Sequence, residues 1–150
     1  MFSKTFGYAL RGILLIVYYH NEKSRVQVDE ISSQLCVPRP FMSKVLKNLV
    51  KSGIIGSVKG PGGGFYVNEQ TMSTSVFSVL TITDGAEQFS NCALRLHTCN
   101  LQNPCPLHKQ VYSVREKLKF QLQATKIKDL VGKNEEDFIS TIVTNSSMMK

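Results

Sequence analysis

The sequence has no apolar run long enough to cross a bilayer. Its longest, Ile13 to Tyr19, is seven residues, whereas a spanning helix needs about 20; a membrane protein is excluded. A secretory leader is also missing, because Arg11 interrupts the first apolar stretch and no small-residue cleavage site follows. A chain that stays in the cytoplasm has little use for structural disulfides, so its four cysteines point to metal or redox chemistry. There is no CxxC pair, no GK[ST] after the glycine run at 60–64, and no acid/base pair. Neither a redox enzyme nor a nucleotide-binding enzyme finds support.

What is present is a core-forming chain with a lopsided charge. At 150 residues, 42% apolar and 19% charged, it fits one compact domain, or a small domain plus an oligomerisation element. The net charge of +7 is concentrated in the first half. Residues 1–68 carry nine Lys/Arg against Glu22, Asp29 and Glu30, and the segment Arg39–Asn68 holds five cations and no carboxylate. One sign of charge over thirty residues suits a polyanion.

Periodicity predicts a buried helix over 5–20, with Phe6, Ala9, Leu10, Ile13 and Val17 at helical spacing. A short extended entry at 25–28 leads to a second helix over 29–35, which Val37-Pro38 and Pro40 break. The third helix, 40–52, turns Met42, Val45, Leu46 and Leu49 inward and leaves Ser43, Lys44, Lys47, Asn48 and Lys51 outside, with Gly53 closing it. Two β-rich runs, 54–58 and 65–67, flank the glycine-rich tip and read as a hairpin. A fourth helix is expected over 75–84. A cysteine-bearing loop over 86–105 follows, then a long helix opened by Pro106 with Val111, Val114, Leu118 and Leu122 on one stripe.

Three helices and a glycine-tipped hairpin are the order of a winged helix-turn-helix, whose third helix lies in the major groove of DNA. Arg39, Lys44, Lys47 and Lys51 lie on or beside that helix; Lys59 and Gly60 sit at the hairpin tip, where backbone can approach phosphate. Separately, Cys92, Cys99 and Cys105 occur within fourteen residues, with six and five residues between them. Such spacing suits a loop around a multi-iron cluster better than the tight pairs of a zinc ribbon. A structural zinc site, a set of switching thiols or a vestigial site are the other readings. Cys36, beside Val37, reads as a small core residue.

The segment SVKGPGGGFYV at 57–67, together with YALRGIL at 8–14, resembles the Rrf-two family of bacterial winged helix-turn-helix transcription regulators, IscR- and NsrR-like. The resemblance runs from about residue 3 to residue 131. It implies a mainly α fold with a small β-hairpin wing and a long C-terminal dimerisation helix. It further implies a homodimer on a palindromic site in double-stranded DNA, with Arg39, Pro40, Ser43 and Lys44 reading bases and Lys59 as the wing contact. Many relatives have Arg where this chain has Lys59. Cluster-binding members carry three cysteines in this loop, so the resemblance implies an iron–sulfur cluster on Cys92, Cys99 and Cys105. A 2Fe-2S form is favoured over 4Fe-4S, and a purified apo form can lack it. In some relatives a carboxylate from the partner's first helix is the fourth ligand. Residues 1–20 here contain no Asp or Glu, which leaves His108, with His97 second. The expected division is 1–85 for DNA binding, 86–105 for the cluster loop, 106–131 for the dimer helix, and 132–150 as a mobile tail.

Overall fold

The computed structural model describes residues 2–132 and 139–143. Helix α1 (Lys4–Tyr19) starts where Ser3 Oγ accepts the amide of Phe6 at 3.0 Å. Residues Gly12 to Val17 are all buried, so the apolar run forms a helix covered on almost every side. Helices α2 (Val28–Gln34) and α3 (Arg39–Lys51) pack on it and on each other. The inward face of α3 is Met42, Val45, Leu46 and Leu49, as the periodicity predicts. Gly12 lets α3 come close: a Cβ there would fall 2.6 Å from the terminal methyl of Met42. Past Ser52, Gly53 takes a φ of 73°, its amide bonds Val50 O, and the Ile54 amide bonds Leu49 O. This pattern satisfies the last carbonyls of α3 and turns the chain towards the wing.

Strands β1 (Gly56–Val58) and β2 (Gly64–Tyr66) pair antiparallel, with Gly56 opposite Tyr66 and Val58 opposite Gly64. Val26 joins as a third rung, exchanging both backbone hydrogen bonds with Phe65 at 2.8 and 2.9 Å. The hairpin is shorter than its sequence pattern. Ile54 and Ile55 are buried in the core at its base instead of extending β1. Residues 69–73, which carry no strong periodicity, form α4 (Glu69–Ser73). Asn68 and Thr71 cap each other there, and the buried Thr71 hydroxyl donates to Ile54 O at 2.7 Å.

Helix α5 (Val76–Asp84) lies between α1 and α6 (His108–Ala124), and a single 3-10 turn, Glu87–Phe89, opens the cysteine loop. Two expectations change at α6. It begins at His108 instead of Pro106, with Leu107 as its cap. The apolar stripe also splits: Leu118 and Leu122 rest on the core, while Val114 is 60% exposed. After α6 the chain returns to the start of α5 through α7 (Ile127–Leu130), where Val76 N–H bonds Thr125 O and Ile127 N–H bonds Thr74 O, both at 2.9 Å. Of the stretch 132–150 expected as a tail, residues 132 and 139–143 are described. Ile139 and Ile142 are buried in the core, and Arg11 Nη2 donates to Ile142 O at 3.1 Å. Residues 133–138 and 144–150 lie outside the described residues.

Two glycine substitutions test this construction in opposite directions. A Cβ at Gly63 would fall 2.2 Å from Val58 O, inside the wing turn, so Gly63→Ala lowers unfolding free energy by about 1–3 kcal/mol. A Cβ at Gly7 meets nothing within 4 Å and lies in a helix interior, so Gly7→Ala raises it by about 0.5–1 kcal/mol. Urea unfolding of both variants reads the two signs; a neutral Gly63→Ala contradicts the wing geometry.

Candidate functional site

The cationic helix and the wing open onto one cleft. Arg39, Lys47, Val50, Lys59 and Gly60 line a cavity of about 520 Å³ between α3, the start of α2 and the hairpin. Arg39, Pro40, Lys44, Lys47, Lys51, Lys59 and Gly60 are exposed, and Ser43 is half-buried. Pro40 falls in the first turn of α3, where its missing amide costs no helical hydrogen bond. Lys44 and Lys51 share α3 with the cleft residues without lining the cleft. The wing tip is anchored by Arg25, whose Nη1 donates to Gly62 O at 3.2 Å.

Asp29 was not singled out by the sequence. It sits in the first turn of α2, faces the same cleft, and holds the Arg39 Nε through its Oδ1. Ten residues and a turn separate the pair, so no periodicity links them. The cleft is therefore a cationic surface with one carboxylate set into it.

The loop thiols meet in space. The sulfurs of Cys92, Cys99 and Cys105 all lie within 4.8 Å of one another. Cys92 Sγ is 3.6 Å from Cys105 Sγ, the Cys105 amide donates to Cys99 Sγ at 3.4 Å, and His108 Nδ1 stands 3.3 Å from Cys99 Sγ. Cys105 is buried and the other two are half-buried. It occupies the turn before α6, its carbonyl accepting the His108 amide at 2.9 Å, and is not the residue adjoining the first helical position. His97 is exposed, and like His108 it lies outside the group of three sulfurs. Cys36 is half-exposed with a φ of 52°, in the turn between α2 and α3. It is therefore no core residue, and the neighbouring Val37 is buried instead.

The backbone amide of Leu96, helped by that of Leu94 and by the neighbouring thiols, pulls the Cys92 thiol down to about 7 against the cost of burial. At Cys99 the Cys105 amide acts downward, yet burial and the two other sulfurs together push the thiol up. Three soft sulfur donors within reach of one centre suit zinc or an iron–sulfur group. His108 stands beside the triad, outside the set whose ligand atoms all lie within 4.8 Å of one another. Among the described residues His108 Nε2 is buried without a hydrogen-bond partner, and His108 lines a cavity of about 700 Å³ with all three cysteines, Arg115 and Lys119. Glu87 and Glu116 line it as well, so the formal charges of the lining balance.

Comparison with known proteins covers nearly the whole chain. The profile of the Rrf2 family, described as an iron-dependent transcriptional regulator, matches residues 2–133. A protein of Aquifex aeolicus (strain VF5), provisionally named an HTH-type transcriptional regulator, is 33% identical over 91% of this chain and 94% of its own length. The HTH-type transcriptional regulator IscR of Yersinia pseudotuberculosis is 25% identical over 84% of this chain and 75% of its own. Among solved structures, the fold is similar to that of CymR, the global cysteine regulator of B. subtilis. That match has a TM-score of 0.71 at 16% identity, over 87% of this chain and 95% of that one. It is also similar to that of T. potens IscR, with a TM-score of 0.67 at 17% identity, over 91% and 89%.

The geometry of the thiols makes a countable prediction. Protein reconstituted anaerobically with iron and sulfide exposes one thiol to alkylation, that of Cys36, and after chelation all four react. Mass spectrometry of the alkylated chain gives the number; four modified cysteines in the loaded protein contradict a three-thiol centre.

Proposed function

Since the chain belongs to the Rrf2 family of iron-dependent transcriptional regulators, we propose that it acts in the cytoplasm as a homodimer on a palindromic promoter site, its affinity set by an iron–sulfur group in the loop. The chain is a transcription regulator of that family and not an enzyme. No helix among the described residues is long and apolar enough to cross a membrane.

The observation that carries the DNA reading is the single cleft lined by Arg39, Lys47, Lys59 and Gly60 from two different elements. In this reading α3 enters the major groove, Arg39, Pro40, Ser43 and Lys44 face base edges, and Lys47, Lys51, Lys59 and Gly60 hold phosphates. Lys59 contributes a point charge and no planar fork, which fits backbone attraction better than base readout. Dimerisation is supported by α6, which buries none of its residues in one protomer while Val114 and Phe120 are 60% and 70% exposed.

Cys92, Cys99, Cys105 and His108 would hold the iron–sulfur group, 2Fe-2S in this reading. Such a group supplies a centre whose presence and charge follow iron supply and oxidant exposure. The four side chains then tie the 86–105 loop to the start of α6, which itself rests on α5. A loop with two arrangements of different DNA affinity is what regulation requires, and half-sites one helical turn apart make a small shift of α6 consequential. The 3.6 Å contact between Cys92 and Cys105 favours a second reading, a cluster-free thiol sensor. Anaerobic purification with an absorption spectrum and iron and sulfide analysis separates the two. A coloured protein with iron and sulfide supports the first. A colourless, iron-free protein that still binds DNA supports the second.

The DNA surface has its own test. Lys47→Ala, removing one phosphate contact, weakens binding to all sequences and flattens the salt dependence of log K by ~1 unit of slope. Loss confined to one base position in fluorescence-anisotropy titrations contradicts that role.

A further inference from the structure

A carboxylate on a phosphate-facing surface opposes binding unless it has a task there. Asp29 is the one acidic side chain among the described residues that line the α2–α3–wing cleft. Its partner Arg39 is the first residue of α3, the end of a recognition helix that meets base edges. The contact is made through Arg39 Nε, and the two side chains are 60% and 63% exposed. The pair is thus not buried for stability, and exposed pairs of this kind add little to it. With Nε engaged, the terminal Nη1 and Nη2 keep coplanar N–H donors that no other described residue accepts. Two coplanar donors match the N7 and O6 acceptors that guanine presents in the major groove.

We infer that Asp29 is a positioning residue for sequence specificity: it holds the Arg39 guanidinium so that its fork reads a guanine in each half-site. This rests on the DNA-binding reading above and deepens it. Lysine at position 39 lacks the fork and could not be held this way. Asp29 lowers affinity for DNA in general and raises the contrast between sequences, a trade that a specificity element makes.

The test is a randomised-site selection with the full chain, followed by titrations on duplexes differing at one base. It uses wild type, Asp29→Asn, Asp29→Glu and Arg39→Ala, with unchanged unfolding midpoints as the folding control. Wild type selects one guanine per half-site, and Arg39→Ala reduces that preference roughly 10-fold or more. Asp29→Asn reduces it several-fold while binding random duplex more tightly, and Asp29→Glu recovers part of it. Uniform tightening by Asp29→Asn with base preference intact overturns the inference, as does uniform weakening by Arg39→Ala, which marks a phosphate contact. So does a cytosine preference that Asp29→Asn removes and Arg39→Ala leaves, since the carboxylate would then read the base itself. Wild type that binds duplex with a steep salt slope but selects no guanine overturns this inference alone. Wild type that binds no duplex at all removes the DNA reading with it.

Discussion

The burial of α1 is the constraint on which the rest of the structure depends. Gly12 to Val17 are all buried, and the neighbours meet different parts of the helix: α3 sits over the gap left by Gly12, α5 packs along it, and Arg11 holds the Ile142 carbonyl. At about 25 cal/mol per Å² of apolar surface, the five apolar side chains from Ile13 to Val17, all buried, make this helix costly to disturb. Helix α3 is therefore fixed by the same packing that fixes α5.

From α5 the packing continues to α6 and the loop thiols. The cationic cleft and the thiol triad thus lie at two ends of one chain of packed helices, α3 on α1 on α5 on α6. In the proposed regulation α6 moves as a rigid body, because packed helices shift as units and do not deform smoothly. The return of α7 to the Thr74–Val76 segment adds a second tie between the two ends.

How far the sequence spoke depended on how local the signal was. The α3 face, the Gly53 cap and the glycine-tipped wing were legible because each rests on residues close in the chain. The three loop cysteines were legible for the same reason. Helix α4 was not, because it is five residues long and its capping box closes with Thr71 instead of a glutamate. The start of α6 was placed two residues early because Pro106 fits a first helical position as well as the turn before it. Asp29 facing Arg39, and Ile54, Ile55, Ile139 and Ile142 sinking into the core, are tertiary features with no local pattern. Cys36 misled for a different reason: its apolar surroundings suggested burial, whereas the turn places it half-exposed in a left-handed conformation that Val37 could not readily take.

The central claim is that the thiol centre and the DNA surface share one equilibrium. It is tested most directly by measuring promoter affinity of one anaerobic preparation at fixed salt, before and after its iron is removed by chelation. Coupling of ordinary size predicts a change of about 5-fold or more. Identical affinities in the loaded and stripped protein, with the Cys92, Cys99 and Cys105 thiols verified as free in the second, would contradict it.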